Sequence, residues 1–405
     1  MIVRRFLAWS RMVPPGQRAE GVSALALGYL YSQMTSEIRR EAEAALTAVL
    51  EDSSPLVRRA LAEAFASAVD APHHCVLALA HDQPEIAALV LERSPVLSDQ
   101  DLIDCAAACA GAAQIAIARR PKLSSLVSAA LAETACAEAL KALAENAGAE
   151  VPEFSLRRML ERFGADAGLR EALLARAGLP ACVRVDLVCA GASALTAFVR
   201  DCGWLPGDRA ERLRRDASER AIIDIALAEA QDDSLDGALE MARHLRVAGR
   251  LTPALMLRAL LSGDRCLFEA ALAELAGQPL ARAAGFVRFH QGSGFQALFD
   301  RARMPPNLLP VFQAALWAQD EAGELASGDA ARLSRALIGQ VLRACEALQD
   351  PDLAQVMALL RRFDAEAAQE EARALTQRIC EDQKGLVALP KPASTPLLMA
   401  VSAAS

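Results

Sequence analysis

Five histidines and ten cysteines are the groups in this 405-residue chain best suited to hold a metal, move a proton or carry a phosphoryl group. His73-His74-Cys75 offers three metal-binding side chains in a row, but reads as a loop entering a helix. Cys105 and Cys109 stand four apart, a spacing that puts both sulfurs on one helix face. A zinc site usually takes four such groups, and no second pair with ligand spacing accompanies them. Cys-x-x-Cys does not occur. Thiols scattered in this way read as small apolar core residues of a chain kept in a reducing compartment.

Two other histidines invite a signalling role. His244 lies on a helix before Arg246, and a helical histidine is what a phosphotransfer bundle uses; its ordinary reading is a partly exposed surface residue. His290 and Arg288 precede Gly292-Ser293-Gly294, a run that forms either a backbone nest for an anion or a tight turn between helices. Carboxylate pairs such as Asp232-Asp233 and Glu370-Glu371 have no cleft in the sequence that would split their pKa values for acid–base work. A phosphate-binding loop, a dinucleotide fingerprint, a nucleophile elbow and a His-Glu-x-x-His helix are all missing from the sequence. The expectation is a protein with no catalytic, cofactor-binding or metal-ligating residues and no cofactor.

Charge narrows the partners further. Lys and Arg total 43 against 51 Asp and Glu, a net charge of −8 that opposes nonspecific binding to a polyanion. Two arginine clusters, Arg157/Arg158/Arg162 and Arg209/Arg212/Arg214/Arg215, are interleaved with Glu161, Glu211 and Asp216 and read as salt-bridged helix faces. Nucleic acid is therefore not expected. The apolar run after Arg4 and Arg5 is too short for a secretory signal, and no stretch approaches the roughly 18 consecutive apolar residues of a spanning helix. The reading is a soluble, cytoplasmic chain without membrane insertion.

The elements that hold these residues follow from punctuation. Pro72, Pro95, Pro121, Pro152 and Pro180 recur at intervals of 23 to 31 residues, and three of them open the pattern Pro-x-Leu/Phe-Ser. A recurring breaker with helical patterning between is the mark of stacked helix pairs. The clearest pair is Glu37–Leu50, then the turn Glu51-Asp52-Ser53-Ser54, then a helix opened by Pro55 with Ser54 as its cap. Val57, Ala60, Leu61, Ala64 and Phe65 make its apolar stripe. A weaker copy turns at His81-Asp82-Gln83-Pro84. Ser98 caps the next helix with Asp101 three residues on, and Leu97 and Leu102 flank it. Helices this short are marginal alone and must lean on neighbouring pairs.

Trp204-Leu205-Pro206-Gly207-Asp208 interrupts the pattern. The predicted organisation is all-α: a repeat domain over 1–203 with an N-terminal cap, a C-terminal helical bundle over 204–384, and a flexible tail over 385–405. In the second half Thr252 caps a helix whose first residue is Pro253. Arg258 and Glu269 fall on successive helices and read as a partly buried pair that sets registry. Asp350 and Pro351 open the last helix. Val183–Val188 alternates briefly but merges into a helical run.

Leu50 to Leu61, Arg93 to Asp99, Leu251 to Leu260 and Phe268 to Gly277 together resemble an uncharacterised alphaproteobacterial domain-of-unknown-function family, catalogued as 2336, with HEAT-like repeats. The likeness implies an α-solenoid and brings no established activity. HEAT-like arrays use a turn aspartate and a helix arginine as a ladder between units, and Asp52 and Arg58 match those positions. Asp82 is kept in the next unit, but Ala87 stands where its arginine would be, so the ladder is expected to be incomplete. The function expected is a noncatalytic protein–protein interaction scaffold or adaptor. A phosphotransfer regulator using His244 or His290, and an enzyme or nucleic-acid binder on the same fold, are the alternatives.

Overall fold

The computed structural model describes residues 6, 9, 10, 12–230, 235–322, 330–348 and 353–386. They form 21 α-helices and one 3-10 turn, and no strand occurs among the described residues. The chain folds as two compact units, Met1–Ile225 and Ala226–Ser405. The division falls inside a helix, not at Trp204. The preceding helix ends at Asp201, and Pro206 opens the next one, its carbonyl accepting the N–H groups of Arg209 and Ala210. The packing continues past it, because Ala210, Ile222 and Ile223 are buried. The helix break at 202–205 does not interrupt the core.

In the first unit α1 (Pro15–Tyr31) and α2 (Ser36–Val49) precede α3 (Pro55–Phe65), α4 (His73–Ala80), α5 (Pro84–Arg93), α6 (Asp99–Ala108) and α7 (Ala112–Ala118). Then come α8 (Ser125–Thr134), α9 (Ala137–Glu145), α10 (Glu153–Phe163), α11 (Ala167–Ala175), α12 (Ala181–Asp201) and α13 (Gly207–Ala230). Helices α1, α3, α5, α7, α9 and α11 form one layer, each packed on the next. Helices α6, α8, α10 and α12 form a second layer in the same manner. This is the pair stacking that the proline interval predicts. Pro72, Pro152 and Pro180 sit at the N-caps of α4, α10 and α12, while Pro95 and Pro121 lie three residues ahead of the N-caps Ser98 and Ser124. The brief Val183–Val188 alternation lies within α12.

Most local signals act as read. Ser98 and Asp101 form a reciprocal capping box, and Leu97 and Leu102 are both buried beside it. Val57, Ala60, Leu61 and Phe65 are buried along α3. Ser54 is the exception: its side chain makes no cap hydrogen bond to α3; its backbone carbonyl accepts the Val57 and Arg58 N–H groups, and Asp52 Oδ1 closes the turn by accepting the Ser54 N–H at 2.9 Å. Gly148 is needed for close approach. Leu123 and Ala149 form a single backbone bridge there, and a Cβ on Gly148 would come within 2.1 Å of the Pro121 carbonyl oxygen.

The second unit contains α14 (Leu235–Val247), α15 (Pro253–Leu261), α16 (Arg265–Ala276), α17 (Leu280–Arg288) and α18 (Ser293–Arg301). After the 3-10 turn Pro306–Leu308 follow α19 (Leu309–Ala322), α20 (Ala330–Leu348) and α21 (Ala354–Leu386). Here α16 packs against α14, α15, α17 and α18, so the elements converge on one helix. Phe268, Phe299 and Phe312 form its aromatic centre, with ring centroids 5.4 and 5.5 Å apart. Thr252 caps α15 by accepting the Leu255 N–H, with Pro253 as first helical residue, and Gly277 closes α16 in the left-handed conformation. Asp232-Asp233, Asp350-Pro351, most of the first eleven residues and all of the expected tail past Leu386 lie outside the described residues.

Candidate interaction surface and the polar ladders behind it

The turn aspartates of the first unit are held by arginines from the preceding pair. Arg18 on α1 donates through Nε and Nη2 to both oxygens of Asp52, each at 2.9 Å. Arg58 on α3 does the same to Asp82, at 2.6 and 2.9 Å, and its Nη1 also reaches the Asp52 carbonyl at 2.6 Å. Asp52 and Arg58 therefore belong to successive rungs, and Asp82 completes the second. Such forked pairs fix geometry as well as charge. Burial pushes the Asp52 carboxyl up, but the hydrogen bonds from Arg18 and the Ser54 N–H outweigh it and hold the group below its ordinary value. At Asp82 the Arg58 hydrogen bonds dominate, and again the pKa is lowered. Past Asp82 the ladder stops, as Ala87 predicts; Ala87 is buried in the core.

A different ladder takes over, which sequence reasoning missed. Arg120, two residues past the end of α7, donates to the carbonyls of Leu91 and Ser94 at the end of α5, at 2.6 and 2.7 Å. Asn146, at the C-cap of α9, donates to Ala118 and Arg120 at the end of α7, at 2.8 and 2.7 Å. Arg176, at the C-cap of α11, reaches the carbonyls of Asn146 and Ala149. Each donor satisfies the orphaned carbonyls of the previous helix in its layer, and the two arginines also complement the negative end of the helix dipole. In the other layer Arg162 does the same for Ala132 and Ala135 of α8. A long donor directly after a helix is the signal that was available in the sequence.

The chemistry-bearing residues are absorbed into this frame. His73 hydrogen-bonds Asp101 at 2.9 Å and His74 meets Thr47 at 2.9 Å, so both link α4 to its neighbours. Burial pushes the Cys105 thiol up to about 11, which suits a packing role and not a nucleophile. Cys109 lies at the extended C-cap of the same helix. No group of three or more His, Cys, Asp or Glu side chains suited to a metal occurs among the described residues. Arg157, Arg158 and Arg214 pair with Asp186, Glu133 and Glu211, respectively.

In the second unit the expected Arg258–Glu269 pair is replaced by two others. Arg258 Nη1 reaches Glu366 on α21 at 2.9 Å, and its guanidinium lies 4.0 Å from the centre of the Phe363 ring. Glu269 is taken by Arg265, one helical turn before it, at 3.1 Å. Arg265 also donates to Asp320 at 2.6 Å. A long side chain crosses to whichever helix the fold brings near, and adjacency in sequence does not decide that. His244 is buried, contrary to the partly exposed position expected, because its face of α14 packs toward α16. His290 is buried as well, with Nδ1 at 3.7 Å from Asp320 Oδ2. Beside it a shallow cleft of about 330 Å³ is lined by Gln291, Gln313 and Trp317. A more apolar groove of about 450 Å³ runs past Leu257, Leu308, Phe312 and Leu359. Gly292-Ser293-Gly294 forms the tight turn into α18, and Gly294 leaves room for the Phe286 ring.

The repeat frame also decides what faces outward. Gln100, Leu126 and Phe154 are each the second residue of α6, α8 and α10, three helices packed in succession in one layer. They therefore lie along one edge at one-repeat intervals. Leu126 is 65% exposed and Phe154 64%. Large apolar side chains repeated in register on an edge form a surface, unlike singly scattered ones.

Two layers of stacked helix pairs, each tied to the next through polar side chains, make this an all-α helical-repeat protein followed by a helical bundle. Residues 86–349 match the model of a family described as an uncharacterised protein conserved in bacteria (DUF2336), and the chain belongs to that family. The matched stretch begins in α5, after both Arg–Asp rungs, and runs through the bundle to α20. No curated protein and no solved structure matches the chain.

Proposed function

We propose that this protein is a noncatalytic interaction scaffold, in which the repeat unit docks a protein partner along the edge formed by α6, α8 and α10. The observation that carries the reading is the register of Leu126 and Phe154, exposed at the same position of adjacent stacked helices. Repeat arrays use such extended surfaces for binding. The rigid frame behind the edge, with helix ends capped by Arg162 and Asn146, presents these side chains at fixed spacing. The net charge of −8 disfavours nucleic acid as the partner. Nine described cysteines carry free thiols, which suits the cytoplasm.

Crosslinking mass spectrometry on the full chain in native lysate tests this. One protein should crosslink reproducibly to residues flanking Leu126 and Phe154, and L126S/F154S should lose those crosslinks while keeping the circular dichroism of the wild type. Crosslinks that ignore both substitutions would overturn the reading. Labelling of His244 or His290 by a phosphodonor would replace it with phosphotransfer; both residues are 6% exposed, which makes that reaction depend on local opening.

A further inference from the structure

The shallow cleft in the second unit is lined by His290, Gln291, Gln313, Ala314 and Trp317. Gln313 Nε2 is committed to the His290 carbonyl at 2.8 Å. Trp317 and Gln291 are exposed, and neither side chain hydrogen-bonds within the described fold. The cleft therefore presents an indole face with spare N–H donors around it. That is the surface a polyproline II segment needs: the ring packs against prolines, and the donors meet carbonyls that this conformation leaves without internal partners. Glu321 follows Trp317 by one turn on the same face of α19; it is exposed, and no described cation pairs with it.

We propose that this cleft docks the chain's own Pro390-Lys391-Pro392-Ala393-Ser394-Thr395-Pro396, which lies outside the described residues. Chemistry, charge and reach each select this occupant. Three of its seven residues are proline, whose fixed φ is already that of polyproline II, so little entropy is lost on binding. Lys391 is the only charged side chain after Lys384, and it is opposite in sign to Glu321. Reach follows from helix register. Arg335, near the start of α20, pairs with Glu371 at 2.7 Å, so α21 runs on past the start of α20 by roughly ten residues, about 15 Å. Helices α19 and α20 pack together and are joined by residues 323–329, so Trp317 and Glu321, near the end of α19, lie at that same end of the bundle. The return from Leu386 runs about 15 Å back and crosses one or two helices at about 8–10 Å each. The ten residues from Leu386 to Pro396 span up to about 33 Å, which covers that path. Docked there, the segment straps the end of α21 back onto α19.

Carbodiimide crosslinking of the full chain, read by mass spectrometry, tests this, because it joins a lysine to a carboxylate only where the two meet. Lys391 should be joined to Glu321. P390A/P392A/P396A and W317A should each cut that product at least about fivefold while keeping the circular dichroism of the wild type. In a mixture of unlabelled and nitrogen-15-labelled protein, both halves of the product should carry the same label. Absence of the product, or its survival in both variants, would overturn the proposal. So would mixed-label products, because the segment would then sit on a second copy. Fluorine NMR of 5-fluorotryptophan-labelled protein gives a second readout from its three tryptophans, with W317F assigning the signal of Trp317. That signal alone should shift in P390A/P392A/P396A, and a Trp317 signal that stays in place counts against docking. These outcomes leave the edge at Leu126 and Phe154 untouched.

Discussion

The two units solve the same problem with opposite reach. In the repeat unit the polar ties run to the next pair of helices and no further: Arg18 to Asp52, Arg58 to Asp82, Arg120 to Leu91, Asn146 to Ala118. In the bundle some reach no further, Arg246 to Glu274 and Arg301 to Ala276, but others run far along the chain, from Arg258 to Glu366, Arg265 to Asp320 and Gln319 to Leu260. The cores differ in the same way. The repeat layers are filled mainly with alanine, leucine and valine, whereas Phe268, Phe295, Phe299 and Phe312 crowd the bundle. Small side chains let helices stack closely and repeat; large rings fill one centre that cannot be repeated. Stability in the repeat unit is therefore a chain of nearest-neighbour terms, and in the bundle it is pooled.

Breaking the longest tie should have the largest effect. Arg258→Met leaves Glu366, whose side chain is 13% exposed, to the more distant Arg362 at 3.7 Å, and should cost up to about 3–5 kcal/mol in chemical denaturation. R258M/E366L should recover most of that loss, since the charge then losing a partner is the more exposed Arg362. Next comes the repeat unit. Arg120→Ala leaves the carbonyls of Leu91 and Ser94 without their donor, with Ser94 fully buried. The expected cost is about 1–3 kcal/mol. Hydrogen exchange should rise in α5 and α7 and stay unchanged in α15 and α16. A rise spread evenly over both units would erase the contrast.

Acid separates the units more gently. The pKa values of Asp52 and Asp82 are lowered in the fold, so their contribution is complete above the unfolded carboxylate value near pH 4 and is lost as pH falls through the lower folded values. Asp264, the N-cap of α16, behaves in the opposite sense. Burial raises its pKa, against the Leu267 N–H that it accepts, so stability is greatest below the unfolded value and declines as pH rises through the folded one. Asp82→Asn should weaken α3 and α5 at pH 7 by about 1–3 kcal/mol and flatten their acid sensitivity. Asp264→Asn keeps a capping side chain and should leave the bundle as stable or more so at pH 7. Exchange rates of the two sets of helices, followed from pH 3 to pH 7, read both signs. The smallest stability effect belongs to L126S/F154S, within about 0.5 kcal/mol of wild type for exposed positions, even as the partner crosslinks vanish.

The readable and unreadable parts of the fold divide along the same line. Ser98 with Asp101 and Thr252 with Pro253 were legible because a cap hydrogen-bonds within three residues of itself. Pair stacking was legible because prolines repeat it. Ser54 misled because a serine in the N-cap position need not use its hydroxyl there: its backbone carbonyl takes the Val57 and Arg58 N–H groups. The Arg258–Glu269 pairing misled because two helices adjacent in sequence do not have to share the partner of a long side chain. Arg18 gave no sign of its rung, since its aspartate lies 34 residues on. The edge at Leu126 and Phe154 was invisible for a related reason: an exposed leucine and a buried one look alike in an apolar stripe.

Amino-acid order alone determined where helices start and stop, that they come in pairs, and that no strand is needed, because capping, proline geometry and apolar periodicity are all decided within a turn or two of the chain. The tertiary structure decided which arginine meets which carboxylate, which histidines are covered, and which apolar residues remain in water. Those outcomes depend on summed burial and side-chain reach across segments that only the completed packing brings together.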